Sequence, residues 1–310
     1  MKKRGVGIGV SFYGTGYGNG FPDVSKARVK LLEKGKIGIY VGATEVGQGA
    51  KTIMSQIGAE TLNIALEDIS FINEDTSIIP DSGTAAASRQ TYNTGNAIKL
   101  ACEDLKEKLF EAGKEALELN STAGLNLEKG EVILSMFPEK RISFKDLYDY
   151  YEEDPLIGEG VFTAQTTMMD PVTGQGAPYW PYTFNACAVE VEVDILTGKV
   201  EVIDGAFAQD TGRSINPTLV EGQIEGGFSM GLGYGLMEDM GLENGRIKNN
   251  KFSKYLIPTA MDMVDIDTII IEDPENTAPY GAKGIGEPTT IPVAPAILNA
   301  IYNATGVRVK

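Results

Sequence analysis

Apolar and polar residues alternate most strictly over residues 188–194, where Val189, Val191 and Val193 fall on one face and Glu190, Glu192 and Asp194 on the other. With a second such run at 199–204 and a Thr197-Gly198 turn between them, this predicts a β-hairpin. Residues 27–32 and 37–41 predict another, turning at 33–35. Residues 5–13 alternate glycine with apolar side chains and predict a strand that runs into the glycine-broken phrase 14–20. A helical rhythm covers 52–66 and, more clearly, 91–117, where Ile98, Ala101, Leu105 and Leu109 lie near one stripe. Between these helices sits a short strand, 69–72. Residues 121–144 predict a small strand-and-turn excursion, Asn216-Pro217 opens a glycine-dotted helix running to 237, and a helix over 292–304 follows.

Hairpins with interspersed helices and no βαβ rhythm predict an α+β chain. Its 310 residues suffice for a large core, divided into subdomains of about 1–165 and 166–310. The 37 glycines form no repeat and cluster in short phrases, the pattern of sharp turns and close backbone approaches. Gly5-Val6-Gly7-Ile8-Gly9 has no helix behind it, so it predicts a tight strand and not a dinucleotide fingerprint.

A formal charge of −16 argues against a nucleic-acid partner. With no histidine and only Cys102 and Cys187, the chain cannot by itself build a zinc site, an iron–sulfur cluster or a histidine triad. No apolar run reaches the length of a membrane span and no secretory cleavage pattern follows the basic start, so the expected compartment is the cytoplasm. The loop 81–90 is small and polar and leads into a helix N-terminus, a natural place for an anion.

Four phrases in order across the chain carry a family resemblance. They are Thr44-Glu45-Val46-Gly47-Gln48-Gly49, the loop 82–91, Gly222-Gln223-Ile224-Glu225-Gly226, and Gly284-Ile285-Gly286-Glu287. Together they resemble the second half of the molybdopterin-binding domain of the xanthine dehydrogenase and aldehyde oxidase family of molybdenum hydroxylases. The metal-facing glycine-rich loop of that domain's earlier half has no counterpart here. The resemblance therefore implies a site completed by a larger molybdopterin subunit.

The resemblance implies roles residue by residue. Glu287 matches the glutamate that takes the proton from a molybdenum-bound hydroxyl, and partial desolvation between glycines would raise its pKa as a base requires. Read alone, a glutamate before Pro288 is an ordinary turn residue. Gln48 and Gln223 match cofactor-contacting glutamines, whose amides offer both donor and acceptor to a fused heterocycle. Ala85, Ala86, Ala87, Ser88, Arg89, Gln90 and Thr91 match a loop that cradles pterin and phosphate through backbone amides and hydroxyls. A plain helix cap by Ser88 or Thr91 is the structural alternative, and Arg89 meets either a phosphate, a partner chain or solvent.

Phe12 matches an aromatic wall for a planar substrate and Tyr13 a polar substrate contact, although strand neighbours point oppositely and one of them could serve core or interface. Glu45 and Glu225 are assigned local hydrogen-bonding roles, and residues 210–217 a turn that Arg213 or Asn216 organises. The implied cofactor is molybdopterin cytosine dinucleotide with molybdenum bearing a terminal sulfido or selenido ligand. FAD and [2Fe-2S] clusters would reside in partner subunits, and electrons would pass to NADP+. The implied reaction is hydroxylation of a small N-heterocycle, nicotinate to 6-hydroxynicotinate, with xanthine or another purine as the alternative. A non-catalytic cofactor-holding protein is the alternative of a different class.

Overall fold

A computed structural model describes residues 1–18 and 21–309, so Asn19 and Gly20 of the glycine-broken phrase lie outside the described residues. In chain order the strands are β1 (Lys2–Gly14), β2 (Val24–Leu31), β3 (Ile37–Val41), β4 (Ile69–Ile72), β5 (Leu125–Glu128), β6 (Glu131–Leu134), β7 (Phe137–Ser143), β8 (Ile157–Thr163), β9 (Tyr182–Asp194), β10 (Val200–Asp210), β11 (Leu242–Glu243), β12 (Arg246–Ile247) and β13 (Ile266–Ile271). The helices are α1 (Ala50–Leu62), α2 (Gly95–Ala116), α3 (Phe144–Tyr150), α4 (Pro217–Leu236) and α5 (Val293–Thr305). Two compact units result. Unit 1 comprises Met1–Thr15, Pro181–Pro274 and Lys283–Lys310, and unit 2 comprises Gly16–Trp180 and Glu275–Ala282. The expected single cut near residue 165 is therefore replaced by interleaved segments, because the first strand pairs with β9, nearly two hundred residues on.

Unit 1 is built on one four-stranded sheet in the order β1-β9-β10-β13. The valines of the predicted hairpin face inward with Cys187 and Phe207, against Ile224 and Phe228 of α4 and Val293 and Ile297 of α5. Gly5, Gly7 and Gly9 explain how close that packing is. A Cβ on them would stand 2.4, 2.2 and 2.1 Å from the carbonyl oxygens of Ala300, Ala296 and Pro292, so α5 lies directly on the strand backbone. The Gly-x-Gly-x-Gly run is a docking track for a helix.

Unit 2 contains a four-stranded sheet in the order β4-β3-β2-β8 and a three-stranded sheet β5-β6-β7. The stripe Ile98, Ala101, Leu105 and Leu109 is completely buried. Here too glycines admit a helix: a Cβ on Gly158 or Gly160 of β8 would stand 2.1 or 2.0 Å from the carbonyls of Ala101 and Ala97 in α2. Helix α1 ends at Leu62, four residues short of expectation, because Asn63 adopts a left-handed conformation and its N–H closes the last turn onto Ala59 and Glu60.

Each unit departs from the expected absence of βαβ units. β3 and β4 are parallel around α1, and β10 and β13 are parallel around α4. The second was hidden because β13 is a short run of isoleucines broken by one aspartate and one threonine after a long irregular segment, and alternation over six residues is a weak signal. Strand β8 and helix α3 were not predicted from periodicity either. Among the described residues no helix is long and apolar enough to cross a membrane.

Candidate active site

In unit 1 the phrase Gly284-Ile285-Gly286-Glu287 forms the turn before α5, and its shape is fixed from beneath. Thr289, fully buried, donates its hydroxyl to the Gly286 carbonyl at 2.9 Å, and the Thr290 N–H reaches the Glu287 carbonyl at 3.1 Å. Helix α4 presses on this turn through Gly227 and Gly231, whose absent Cβ atoms would overlap Thr289 and Val293. Gln223 lies one helical turn before Gly227 and so on the same side of α4. Asn216 caps that helix, accepting the Leu219 N–H at 3.2 Å.

A buried polar relay supports the next residue. Asn185 of β9 donates from Nδ2 to the Pro288 carbonyl at 2.7 Å and to Gln209 Oε1 at 3.1 Å, while the Ser11 hydroxyl donates to its Oδ1 at 2.7 Å. Gln209, with no exposed surface, donates in turn to the Thr183 hydroxyl and the Asp210 carbonyl. At the other end of the turn Lys283 is buried against Asp210, Nζ to Oδ2 being 2.8 Å. Sequence reasoning missed Asn185, Gln209, Ser11 and Lys283. A signal existed: the inward positions of β9 run back from Val193 through Cys187 to Asn185 and Thr183, so the apolar alternation gives way to polar residues where burial continues.

Glu287 itself is exposed, and its Oε2 accepts a hydrogen bond from the Tyr13 hydroxyl. Of the two expected substrate contacts, only Tyr13 stands against Glu287. Phe12 projects from the other face of β1, 64% exposed and stacked on Tyr182 and Phe184 at centroid distances of 4.5 and 5.0 Å. Among the described residues none encloses the Glu287 carboxylate, which stands exposed.

Unit 2 holds the other predicted residues on two adjoining loops. Gln48 donates to the Thr44 carbonyl at 2.8 Å and to Gln90 Oε1 at 2.9 Å, so the two glutamines meet. Glu45 organises its own loop by accepting the backbone N–H groups of Gly47, Gly49 and Lys51. Partial desolvation pulls its pKa upward, but the backbone hydrogen bonds together outweigh it and leave the carboxyl below its ordinary value. Loop 82–91 places Ala85 at the surface, Ala86 half-buried, and Ala87 and Ser88 in consecutive left-handed conformations with φ of 55° and 50°. Gln90 and Thr91 open a π-type turn, Gln90–Thr94, ahead of α2, and neither N-cap residue, Arg89 or Thr94, caps with its side chain.

Arg89 corrects the expectation made for it. It is completely buried, its guanidinium pairing with Asp23 and donating to the carbonyls of Ser82, Thr84 and Val24 and to the Ser25 hydroxyl. It does not reach solvent, and serves as the internal post around which the loop is wound. Tyr17 lies against the same post, its hydroxyl bonded to both N–H and carbonyl of Thr84.

Comparison with known proteins fits these two loops and this turn. The family model of the molybdopterin cofactor-binding domain matches residues 1–264. The chain belongs to that family, as a molybdenum-binding portion of the molybdenum hydroxylases. It is 39% identical over 306 residues to a probable xanthine dehydrogenase subunit from Bacillus subtilis (strain 168), covering 98% of this chain and 40% of that one. It is 33% identical to the gamma subunit of the 6-hydroxypseudooxynicotine dehydrogenase complex from Paenarthrobacter nicotinovorans, covering 98% and 37%. Among solved structures it superposes on quinoline 2-oxidoreductase from Pseudomonas putida 86 with a TM-score of 0.83 at 25% identity, covering 98% and 39%. The chain thus spans about two-fifths of the length of the curated relatives it matches.

The residues present fit a molybdopterin group. A Cβ built at Gly47, Gly222 or Gly226 would meet nothing within 4 Å, so both the Gln48 loop and the outward side of α4 beside Gln223 leave backbone open to a close neighbour. Small side chains at 85–87 do the same, and Ala87 and Ser88 hold a strained positive-φ backbone of the kind that clusters at binding loops. With Arg89 neutralised by Asp23, an anionic group here would be met by amides and hydroxyls. Among the described residues no group of three or more His, Cys, Asp or Glu is placed to hold a metal ion.

Proposed function

We propose that this chain bears the catalytic base of a molybdenum hydroxylase acting on a small N-heterocycle, with nicotinate converted to 6-hydroxynicotinate, and that it is the counterpart of the medium molybdopterin subunit of bacterial nicotinate dehydrogenase. The observation that carries the reading is the Tyr13–Glu287 pair on a turn locked from below. When bound, molybdopterin cytosine dinucleotide would supply the oxidising molybdenum centre for hydroxylation with water-derived oxygen. Glu287 would serve as the base, accepting a proton on its carboxylate, and Tyr13 orients that carboxylate through Oε2 while its ring would meet the substrate. Gln48, Gln223 and loop 85–91 hold the cofactor by side-chain amides, hydroxyls and backbone N–H groups.

A larger molybdopterin subunit completes the site, and an iron–sulfur subunit and an FAD subunit carry the two electrons to NADP+, in a cytoplasmic assembly. The likeness to proteins named for quinoline and for a nicotine-derived compound supports an N-heterocycle as substrate class. A xanthine or purine reading is favoured by the names of other relatives. The test is anaerobic purification of the native complex and measurement of nicotinate and xanthine turnover. Glu287→Gln is expected to lower kcat by about 10²–10⁴-fold with molybdenum content unchanged. Unchanged turnover would sink the base assignment, and xanthine as the better substrate would move the reading to purines.

A further inference from the structure

The sheet of unit 1 has two unlike faces. Its inner face is covered by α4 and α5. Its outer face is itself divided. At one end Lys2, Arg4, Glu190, Glu192, Lys199 and Glu201 form a ladder of ion pairs with nitrogen–oxygen distances from 2.5 to 3.8 Å, the furniture of a wet surface.

The other end is apolar. The strand registers set Val10, Ala186, Ala208 and Ile269 in one row across all four strands. The row on one side holds Ile8, two alanines and Asp267, and the row on the other holds Phe12 and Phe184, with Ile271 at the far edge. Ile8, Val10, Phe12, Phe184, Ile269 and Ile271 are 47–71% exposed. Together they leave on the order of 700 Å² in the open, close to what each partner buries in a standard protein interface and more than a lone soluble chain usually shows.

We infer that this apolar end is the seat of a separate polypeptide, the chain carrying the part of the molybdenum-binding unit that relatives hold outside their matched region. The inference rests on the multi-chain reading above and deepens it. The matched relatives are longer than this chain by about three-fifths of their own length, so a large complementary body exists in the family. The patch offers almost no charge, which disfavours a partner recruited by electrostatics and suits a permanent apolar contact. A second copy of this chain would cover the patch without supplying that missing body.

The test uses the native complex with a photo-crosslinking residue introduced at Val10 and, separately, at Lys199 on the charged end. The expected result is an adduct from position 10, and not from 199, to a distinct chain whose sequence matches the unmatched part of the relatives. Ile8→Asp combined with Val10→Asp should cut the amount of that chain co-purifying by about tenfold or more, while the melting temperature of the isolated variant stays that of wild type. An adduct to a second copy, an adduct within the same polypeptide, or an intact complex carrying the double substitution would each overturn the inference. A complex joined at this face that holds no molybdenum and turns over no heterocycle would leave the surface standing and overturn the proposed function instead.

Discussion

The two units fix their candidate residues by different means. In unit 2 the loop is wound about one charged hub: the fully buried Arg89 spans Asp23, three backbone carbonyls and a serine hydroxyl. In unit 1 the turn bearing Glu287 is propped by neutral groups, Thr289 and the Asn185–Gln209 relay, with its ion pair kept at Lys283, four residues from the glutamate. On the proposed function, a loop that offers backbone to an anion tolerates a buried, neutralised guanidinium. By the same reading, a turn that presents the proposed base is better served by supports that carry no charge, since a nearby fixed charge would compete with the proton it is proposed to handle.

The comparison breaks first at the hub. Arg89→Met leaves Asp23 buried without its partner and should cost about 3–5 kcal/mol in denaturant unfolding. Lys283→Met should cost less, roughly 2–3 kcal/mol, because Lys283 pairs with Asp210 and, at 3.9 Å, with Asp273, whereas Arg89 besides its ion pair donates to three carbonyls and a hydroxyl. Equal losses would mean that Arg89's extra bonds contribute nothing, and the hub description would fall. Replacing Asp23 by Leu together with Arg89→Met should lose less than the sum of the two single changes.

Asn185→Leu tests the neutral support. It removes the donor to the Pro288 carbonyl and leaves Gln209 short of a partner, at a cost of about 1–3 kcal/mol. Asn185 is a positioning residue, so kcat of the assembled complex should fall with KM and molybdenum content unchanged. A stability loss with kcat intact would reduce it to ordinary scaffolding.

What the sequence made legible follows the strength of local pattern. The β9–β10 hairpin and the cap at Asn216 rest on contacts between near neighbours, and the stripe of α2 rests on the helical period, which the sequence displays whatever it packs against. The phrase containing Glu287 was found by resemblance, and the structure adds the Tyr13 contact across 274 positions, which no local signal carries. Arg89 was misjudged for the same reason: an arginine in a polar loop reads as a surface residue until Asp23, 66 positions earlier, is seen to meet it. The parallel strand β13 was missed because its partner lies beyond a helix and a long irregular segment.

The finest test lies at Glu45, whose carboxylate accepts three backbone N–H groups at the entrance to α1. Glu45→Gln keeps the shape and removes the charge, and should cost about 1 kcal/mol at neutral pH, the usual worth of a helix N-terminal cap. The sign with pH follows from its lowered folded-state pKa. The charge contribution is fully present above the unfolded value of 4.5 and disappears as pH falls through the lower folded value. Unfolding curves of wild type and variant should therefore be separated at pH 7 and converge in acid. A gap that persists below that window would show that the amide fails the loop for reasons of geometry, and that the charge at Glu45 is not what holds the loop together.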